Sequence, residues 1–283
     1  MLNGKVLGNK ALDNKTIIIT GSSRGIGREM ALKFAAHGAN VVIAAKSAEP
    51  HPKLPGTIHS VAEEVNQAGG QGLAVQVDVR DDSSIQKMVD KTVERFGGID
   101  GVINNAGAIK LAGAASLPMK RFDLMYQINT RAVLACSQAA LPWLKKSENG
   151  HILNLSPPIN LDPKWFMHYG PYTTTKYGMS MLTISLAEEF KRYGISVNSL
   201  WPQTVISTAA VEFEGGGKAT MSKGRKPEIM ADAAFAIITS QDQELTGQHL
   251  IDETILKEKG INDFEKYRYD VDSNKPLMTD LFI

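Results

Sequence analysis

Thr16-Ile17-Ile18-Ile19-Thr20-Gly21-Ser22-Ser23-Arg24-Gly25-Ile26-Gly27 is the stretch whose reading decides the fold. Its first five residues are all β-branched, as expected of a strand buried on both faces. Glycines follow at once. A helical run then places Met30, Phe34 and Ala35 on one face, and Gly38 sits where a helix would end. Residues 41–44 (VVIA) give a second buried strand. Strand, turn, helix and strand make one right-handed βαβ unit. A glycine-rich turn between strand and helix offers backbone N–H groups and a helix N-terminus to a pyrophosphate. Gly21, Ser22, Ser23, Arg24, Gly25, Ile26 and Gly27 are therefore candidate cofactor-binding residues. Their spacing is T-G-x-x-x-G-x-G rather than the general G-x-G-x-x-G.

The second strand ends in Ala44-Ala45-Lys46. A site for NAD(H) usually carries an acidic residue there, to hold the ribose 2′-hydroxyl. Lys46 and Arg24 offer cations for a 2′-phosphate instead, which predicts NADP(H) over NAD(H). Residues 47–57 (SAEPHPKLPGT) form a long loop before a helix at 58–68. His51 and His59 read as surface groups. A third strand at 72–77 is followed by Asp78, placed to accept a hydrogen bond from an adenine amino group. A helix at 82–96 leads to a fourth strand at 99–103 and to Asn104-Asn105-Ala106-Gly107, small residues that let the backbone approach a ligand.

A long helix is predicted over 119–144 with a kink near Asn129. Asparagine is a poor interior helix residue because its side chain competes for backbone hydrogen bonds. A local rule broken there can mark function. A fifth strand at 151–155 ends at Ser156-Pro157-Pro158. Pro171 suits the first turn of the next helix, which runs to Tyr193. Tyr172 and Lys176 lie one turn apart on it and share a face. A free phenol has a pKa of about 10, and a nearby cation favours its phenolate. The pair is thus a candidate general acid/base centre. A sixth strand follows at 195–200. The glycine-bearing stretch 205–226 reads as a mobile lid. A helix at 227–239 and a short strand at 249–251 complete the pattern, and the chain beyond 253 looks charged and irregular.

Bulk properties narrow the function classes. The 283 residues are 43% apolar and 22% charged, close to an ordinary globular enzyme. A net charge of +1 gives no electrostatic case for nucleic acid or a membrane surface. No apolar run approaches a membrane span, and residues 1–14 lack the apolar core of a signal peptide. The single cysteine, Cys136, excludes an internal disulfide framework and a Cys-rich zinc site, and reads as a core residue. The six histidines show no metal-ligand spacing, so no metal is expected. The expectation is a soluble protein, cytoplasmic if its host is bacterial.

Strands alternating with helices over 16–252 predict an α/β fold. It is a doubly wound parallel sheet of Rossmann type in three α/β/α layers: one domain, residues 1–252, followed by a tail, 253–283, without its own core. T-G-x-x-x-G-x-G at Thr20–Gly27, N-N-A-G at Asn104–Gly107, Asn129, and Y-x-x-x-K at Tyr172 and Lys176 occur in that order. As a set they resemble the short-chain dehydrogenase/reductase family over nearly the whole chain. The segments AAKSAEPHPKLPGTI, ILNLSPPINL, TKYGMSM and IDETILKEKGI look like its hydroxysteroid dehydrogenase-like branch. Some members of that branch carry a C-terminal sterol-carrier domain. This sequence ends before one, in Leu281-Phe282-Ile283 rather than a peroxisomal S-K-L.

The resemblance implies an NADP(H)-dependent oxidoreductase that interconverts an alcohol and a ketone or aldehyde, with a small apolar substrate. Tyr172 would move a proton to or from the substrate oxygen. Lys176 would lower the tyrosine pKa and bind the nicotinamide ribose, Asn129 would hold a water in a proton relay, and Asn105 would line the cofactor. A homo-dimer or homo-tetramer through the long helices is implied as well. Two positions depart from the family pattern. Its second serine after the fifth strand is Pro157 here, leaving Ser156 as the candidate catalytic serine, and a glycine after the sixth strand is Gln203. These departures support an alternative, a catalytically impaired NADP(H)-binding redox sensor or scaffold.

Overall fold

The computed structural model describes residues 10–283. The part of the signal-peptide reading that falls on residues 1–9 lies outside them. The chain runs β1 (Thr16–Thr20), α1 (Gly25–Ala35), β2 (Asn40–Ala45), α2 (Ile58–Gln67), β3 (Gln71–Gln76), α3 (Asp82–Phe96) and β4 (Gly101–Asn104). It continues through α4 (Met119–Tyr126), a π-helical turn (Gln127–Arg131), α5 (Ala132–Leu144), β5 (His151–Asn154), α6 (Lys164–Met167) and α7 (Gly170–Phe190). Then come β6 (Ser196–Trp201), α8 (Ala209–Glu214), α9 (Gly217–Met221), α10 (Glu228–Ile238), β7 (His249–Ile251) and α11 (Asp252–Glu258). The seven strands form one sheet in the order β3-β2-β1-β4-β5-β6-β7, and every pairing is parallel.

Strand residues alternate between faces, and the two cores follow that alternation. Ile17, Ile19, Val41 and Ile43 pack with α1, α2, α10 and α11 on one side. Ile18, Val42 and Ala44 pack with α3, α5 and α7 on the other. Burying each β1 isoleucine in full is worth about 1.5–3 kcal/mol, which is why no polar residue interrupts the strand. The sheet order reverses between β1 and β4, and in such sheets the crevice at that switch point is where ligands bind.

Buried polar side chains fix the register. Asn104 Nδ2 donates to Asn154 Oδ1 at 2.8 Å, and Asn154 Nδ2 donates to Thr183 Oγ1 at 2.8 Å. This chain ties β4 to β5 and β5 to α7.

Two expectations change. The stretch 205–226 carries two short helices, α8 and α9. Ser207 Oγ donates to the Met221 carbonyl at 2.8 Å, and Lys110 pairs with Glu214 at 3.0 Å. The stretch expected to be a mobile lid thus carries helical turns, and one of its side chains reaches the loop after β4. Residues beyond 252 are not uniformly irregular either. They begin with α11, whose Ile255 and Leu256 are fully buried, and they end with Phe282 buried. Among the described residues, no helix is long and apolar enough to cross a membrane. None of the described His, Cys, Asp or Glu side chains form a group of three that could hold a metal.

Candidate active site

The carboxyl ends of β1, β2, β3 and β4 open into one cavity of about 520 Å³. Gly21, Ser23, Arg24, Gly25 and Ile26 line it; Ser22 and Gly27 do not. Those two shape the turn from behind. Ser22 Oγ donates to the Ile19 carbonyl at 2.7 Å and accepts from the Ala44 N–H at 3.1 Å, locking the end of β1 to β2. A Cβ at Gly27 would sit 2.5 Å from Asn105 Nδ2, so only glycine lets α1 approach the loop after β4. Gly21 has φ +68°, and a Cβ there would meet the Ala106 Cα at 2.8 Å. Asn105 lines the cavity and bonds the turn from the other side, its Nδ2 donating to the Thr20 carbonyl at 2.8 Å.

These residues fit a dinucleotide pyrophosphate. Arg24, the N-cap of α1, makes no side-chain cap hydrogen bond. The first-turn N–H groups of a helix have no intrahelical partner, and Gly25 and Ile26 of that turn line the cavity. Partial positive charge at the end of an 11-residue helix thus meets the open space.

The end of the cavity beside β2 and β3 is more crowded than the sequence suggests. Lys46 and Asp78 both line the cavity, and Lys46 Nζ lies 3.3 Å from the Asp78 carboxylate. Arg80 binds the same carboxylate, with Nη2 at 2.5 Å. Hydrogen bonds from Arg80, then the Lys46 ammonium, hold Asp78 far below the usual carboxylate range. Asp78 is therefore a clamp on two cations as well as a candidate adenine contact. Arg24 Nε donates to the Pro55 carbonyl at 2.8 Å and Nη2 to that of Gly56 at 3.1 Å, which pins the proline-rich loop over the site.

Tyr172, Lys176 and Asn129 line the same cavity. The π-helical turn places Asn129, fully buried. Its Oδ1 accepts from the Ala108 N–H at 2.8 Å. Its Nδ2 donates to the Ala108 carbonyl at 2.9 Å and to Thr175 Oγ1 at 3.0 Å. Both amide protons are thus engaged. Lys176 Nζ donates to the Leu155 carbonyl at 2.6 Å and lies 5.0 Å above the centre of the Trp201 ring.

The electrostatics correct one expectation. Burial pushes the Tyr172 phenol above its ordinary range, and the Asp280 carboxylate adds to that. Burial also pushes Lys176 down to about 7, with Asp280 opposing. The lysine is 7% exposed, so its own charge is penalised and the depression of Tyr172 read from the Y-x-x-x-K spacing is not present. Both effects come from loss of water around the charged form.

Ser156 is the second correction. It is fully buried, its hydroxyl has no hydrogen-bond partner, and it does not line the cavity. Pro157 beside it is buried too, is absent from the cavity wall and has no donor, so neither position offers the cavity a side-chain hydrogen bond. The Pro157 carbonyl accepts instead from Ser180 Oγ at 2.6 Å.

Beyond Tyr172 lies an aromatic cluster that the sequence did not reveal. Phe282 is 1% exposed. Its ring centroid lies 5.4 Å from Tyr177, 5.6 Å from Trp165, 5.9 Å from Trp201 and 6.3 Å from Tyr172. Its φ of 75° is left-handed, a conformation that costs a non-glycine residue about 1–2 kcal/mol. Thr208, Ala209 and Ala210 on the cavity wall, Arg80 and Asp280 were also missed. Apart from Arg80, which binds Asp78 two residues away, these groups meet the site across stretches of sequence too long to leave a local period.

The sequence comparisons agree with this architecture. The short chain dehydrogenase family profile matches residues 15–215. The chain is 54% identical over 268 residues to hydroxysteroid dehydrogenase-like protein 2 of Danio rerio, covering 95% of this chain and 63% of that protein. It therefore spans somewhat under two thirds of the length of that relative. A Xanthomonas campestris protein with a provisional dehydrogenase assignment superimposes with a TM-score of 0.92 at 50% identity, covering 96% of this chain and 98% of its own. A short chain dehydrogenase from Mycobacterium thermoresistibile does so at 0.89 and 47%, covering 96% and 95%. Members of this oxidoreductase family bind nicotinamide cofactors. With its seven-stranded parallel sheet and a cavity at the switch point, this chain belongs to the short-chain dehydrogenase family.

Proposed function

We propose that the protein is an NADP(H)-dependent oxidoreductase that interconverts an alcohol and a ketone or aldehyde, with Tyr172 as general acid/base. One observation carries this reading: Tyr172 and Lys176 open onto the same cavity as the glycine-rich turn and Lys46. When bound there, the nicotinamide cofactor supplies or accepts the hydride. Gly21 to Ile26 would hold its pyrophosphate, Lys46 and Arg24 its 2′-phosphate, and Lys176 its ribose.

The remaining chemistry belongs to the chain. Burial keeps the Tyr172 phenol protonated at neutral pH, which suits a donor in the reductive direction. Its proton passes to the carbonyl oxygen as that oxygen gains charge. The phenolate left behind lies one helical turn from Lys176, whose charged form would offset only part of the burial cost of that phenolate. Asn129 would take part in proton resupply through oxygen atoms only, because its amide protons are spent on Ala108 and Thr175. The burial of Tyr172, Lys176 and Asn129 strengthens each of these interactions relative to water. The substrate proposed is a small apolar carbonyl compound, and the assembly proposed is a homo-dimer or homo-tetramer.

The placement of Ser156 favours one other reading, a catalytically impaired NADP(H)-binding sensor or scaffold. Without a side-chain donor at 156 or 157, the substrate oxygen lacks a second donor beside Tyr172, and such a donor is typically worth about 10²–10³ in rate. Purified protein, NADPH and a panel of aliphatic and aromatic aldehydes and ketones separate the two. Turnover followed at the NADPH absorbance supports the enzyme. Tight NADPH binding without turnover of any panel member supports the sensor.

A further inference from the structure

The open cavity stops at Tyr172 and Lys176. On the far side of Tyr172 the space between Trp165, Tyr177 and Trp201 is filled by Phe282. Packed against the cluster that these residues form with Tyr172 and Met125 are Ile109, Leu111, Leu117 and Ile159, supplied by the loops after β4 and β5. An apolar substituent on a carbonyl held at Tyr172 has these groups as its surroundings. We propose that Phe282 is the specificity-determining wall of the substrate site: it limits the protein to carbonyl compounds with slim, unbranched apolar substituents and excludes ring-bearing ones. This rests on Tyr172 being the acid/base group.

Phe282 is built in as a fixed wall. Its segment is laced to the end of β6 and to the loops around it. The Val205 N–H donates to the Met278 carbonyl at 2.9 Å, and the Asp280 N–H donates to the Gln203 carbonyl at 3.2 Å. Trp201 Nε1 donates to the Leu281 carbonyl at 2.8 Å. Asn160 Nδ2 reaches the Phe282 carbonyl at 3.5 Å, and Asn160 is itself held by Tyr177 Oη donating to its carbonyl at 2.5 Å. The left-handed backbone at Phe282 persists against this frame, as strained residues do where their surroundings over-determine them. A side chain held in this way does not swing aside for a bulky substrate.

Removing the ring leaves an apolar void lined by indoles, adjoining the open cavity, and voids of this kind accept small aromatic ligands. The experiment compares wild type, Phe282→Leu and Phe282→Ala, each first shown to be folded by circular dichroism. With NADPH, kcat/KM is measured for hexanal and for acetophenone. The expected result is a rise of at least tenfold in the acetophenone-to-hexanal ratio for Phe282→Ala, with Phe282→Leu intermediate. A ratio within twofold of wild type in every folded variant overturns the proposal.

A second readout needs no turnover. Acetophenone is titrated while tryptophan fluorescence is followed, since Trp165 and Trp201 border the void. Saturable quenching in a variant and none in wild type supports the wall. Equal quenching in all proteins overturns it. Selective quenching without turnover of either carbonyl would leave Phe282 as a wall and defeat the oxidoreductase reading alone. If Phe282→Ala does not fold, Phe282→Leu decides by both readouts.

Discussion

Asn129 Nδ2 donates to Thr175 Oγ1 at 3.0 Å, joining the π-helical turn to the helix that carries Tyr172 and Lys176. The same side chain holds the Ala108 backbone at both its N–H and its carbonyl. Asn129 is thus a three-way junction between α7, the loop after β4 and the turn in the long helix. Asn129→Ala leaves buried polar groups unpaired, each at about 1–3 kcal/mol. The expected loss in unfolding free energy is about 2–4 kcal/mol by urea denaturation. Thr175→Val should cost less, because Ala108 keeps both of its bonds. The two losses should not add, since the residues share one network.

Tyr172→Phe removes the phenolic oxygen and keeps the ring against Phe282. Turnover with NADPH is expected to fall by about 10²–10⁴, the usual worth of general acid–base catalysis, with cofactor affinity within twofold. A variant that keeps more than a tenth of wild-type kcat would remove Tyr172 from its proposed role.

Lys46 is the exposed cation at the adenosine end, shared with Asp78. NADPH is expected to bind more tightly than NADH. Lys46→Ala should weaken NADPH by about tenfold, or ~1.4 kcal/mol, and leave NADH nearly unchanged. Equal affinities in wild type, measured by fluorescence titration, would defeat the 2′-phosphate reading.

His151 opens β5 with 2% exposure, and burial pushes its pKa down to about 4, partly offset by a hydrogen bond with Ser240. The unfolded chain takes up this proton near pH 6.5, ahead of the folded state. Unfolded protein therefore binds more protons between about pH 6.5 and 4, and stability falls as pH drops through that window. The contribution approaches about 3 kcal/mol at the acid end. His151→Leu is expected to flatten that part of a Tm-against-pH curve. A parallel curve would assign the acid limb to other groups.

Much of the fold is legible because its signals are local. Strand β1, the turn at Gly21 to Gly27 and helix α1 follow from β-branched residues, glycines and a helical period within a short window. A buried parallel strand needs unbroken apolar residues, and a phosphate turn needs glycines where a Cβ would collide. Tyr172 and Lys176 share the cavity because residues four apart on a helix share a face. Asn129 stood out because asparagine does not belong in a helix interior, and the structure answers with a π-helical turn there.

Tertiary structure alone decided the rest. Lys46 finds Asp78, which Arg80 already holds from two residues away, only because the ends of β2 and β3 are neighbours in the sheet. Ser156 is fully buried away from the cavity, and Pro157 beside it is buried as well. The expected pull of Lys176 on the Tyr172 phenol gives way to desolvation, a property of everything packed around both groups. Phe282 meets Trp201 across 81 residues of sequence and Trp165 and Tyr177 across more than a hundred. The sequence by itself determined a parallel sheet, a glycine-rich turn and a tyrosine–lysine pair, because backbone sterics and helical geometry act between near neighbours. Which side chains lose water, which cations are shared and what walls the site depend on contacts between distant segments, and those exist only once the chain has packed.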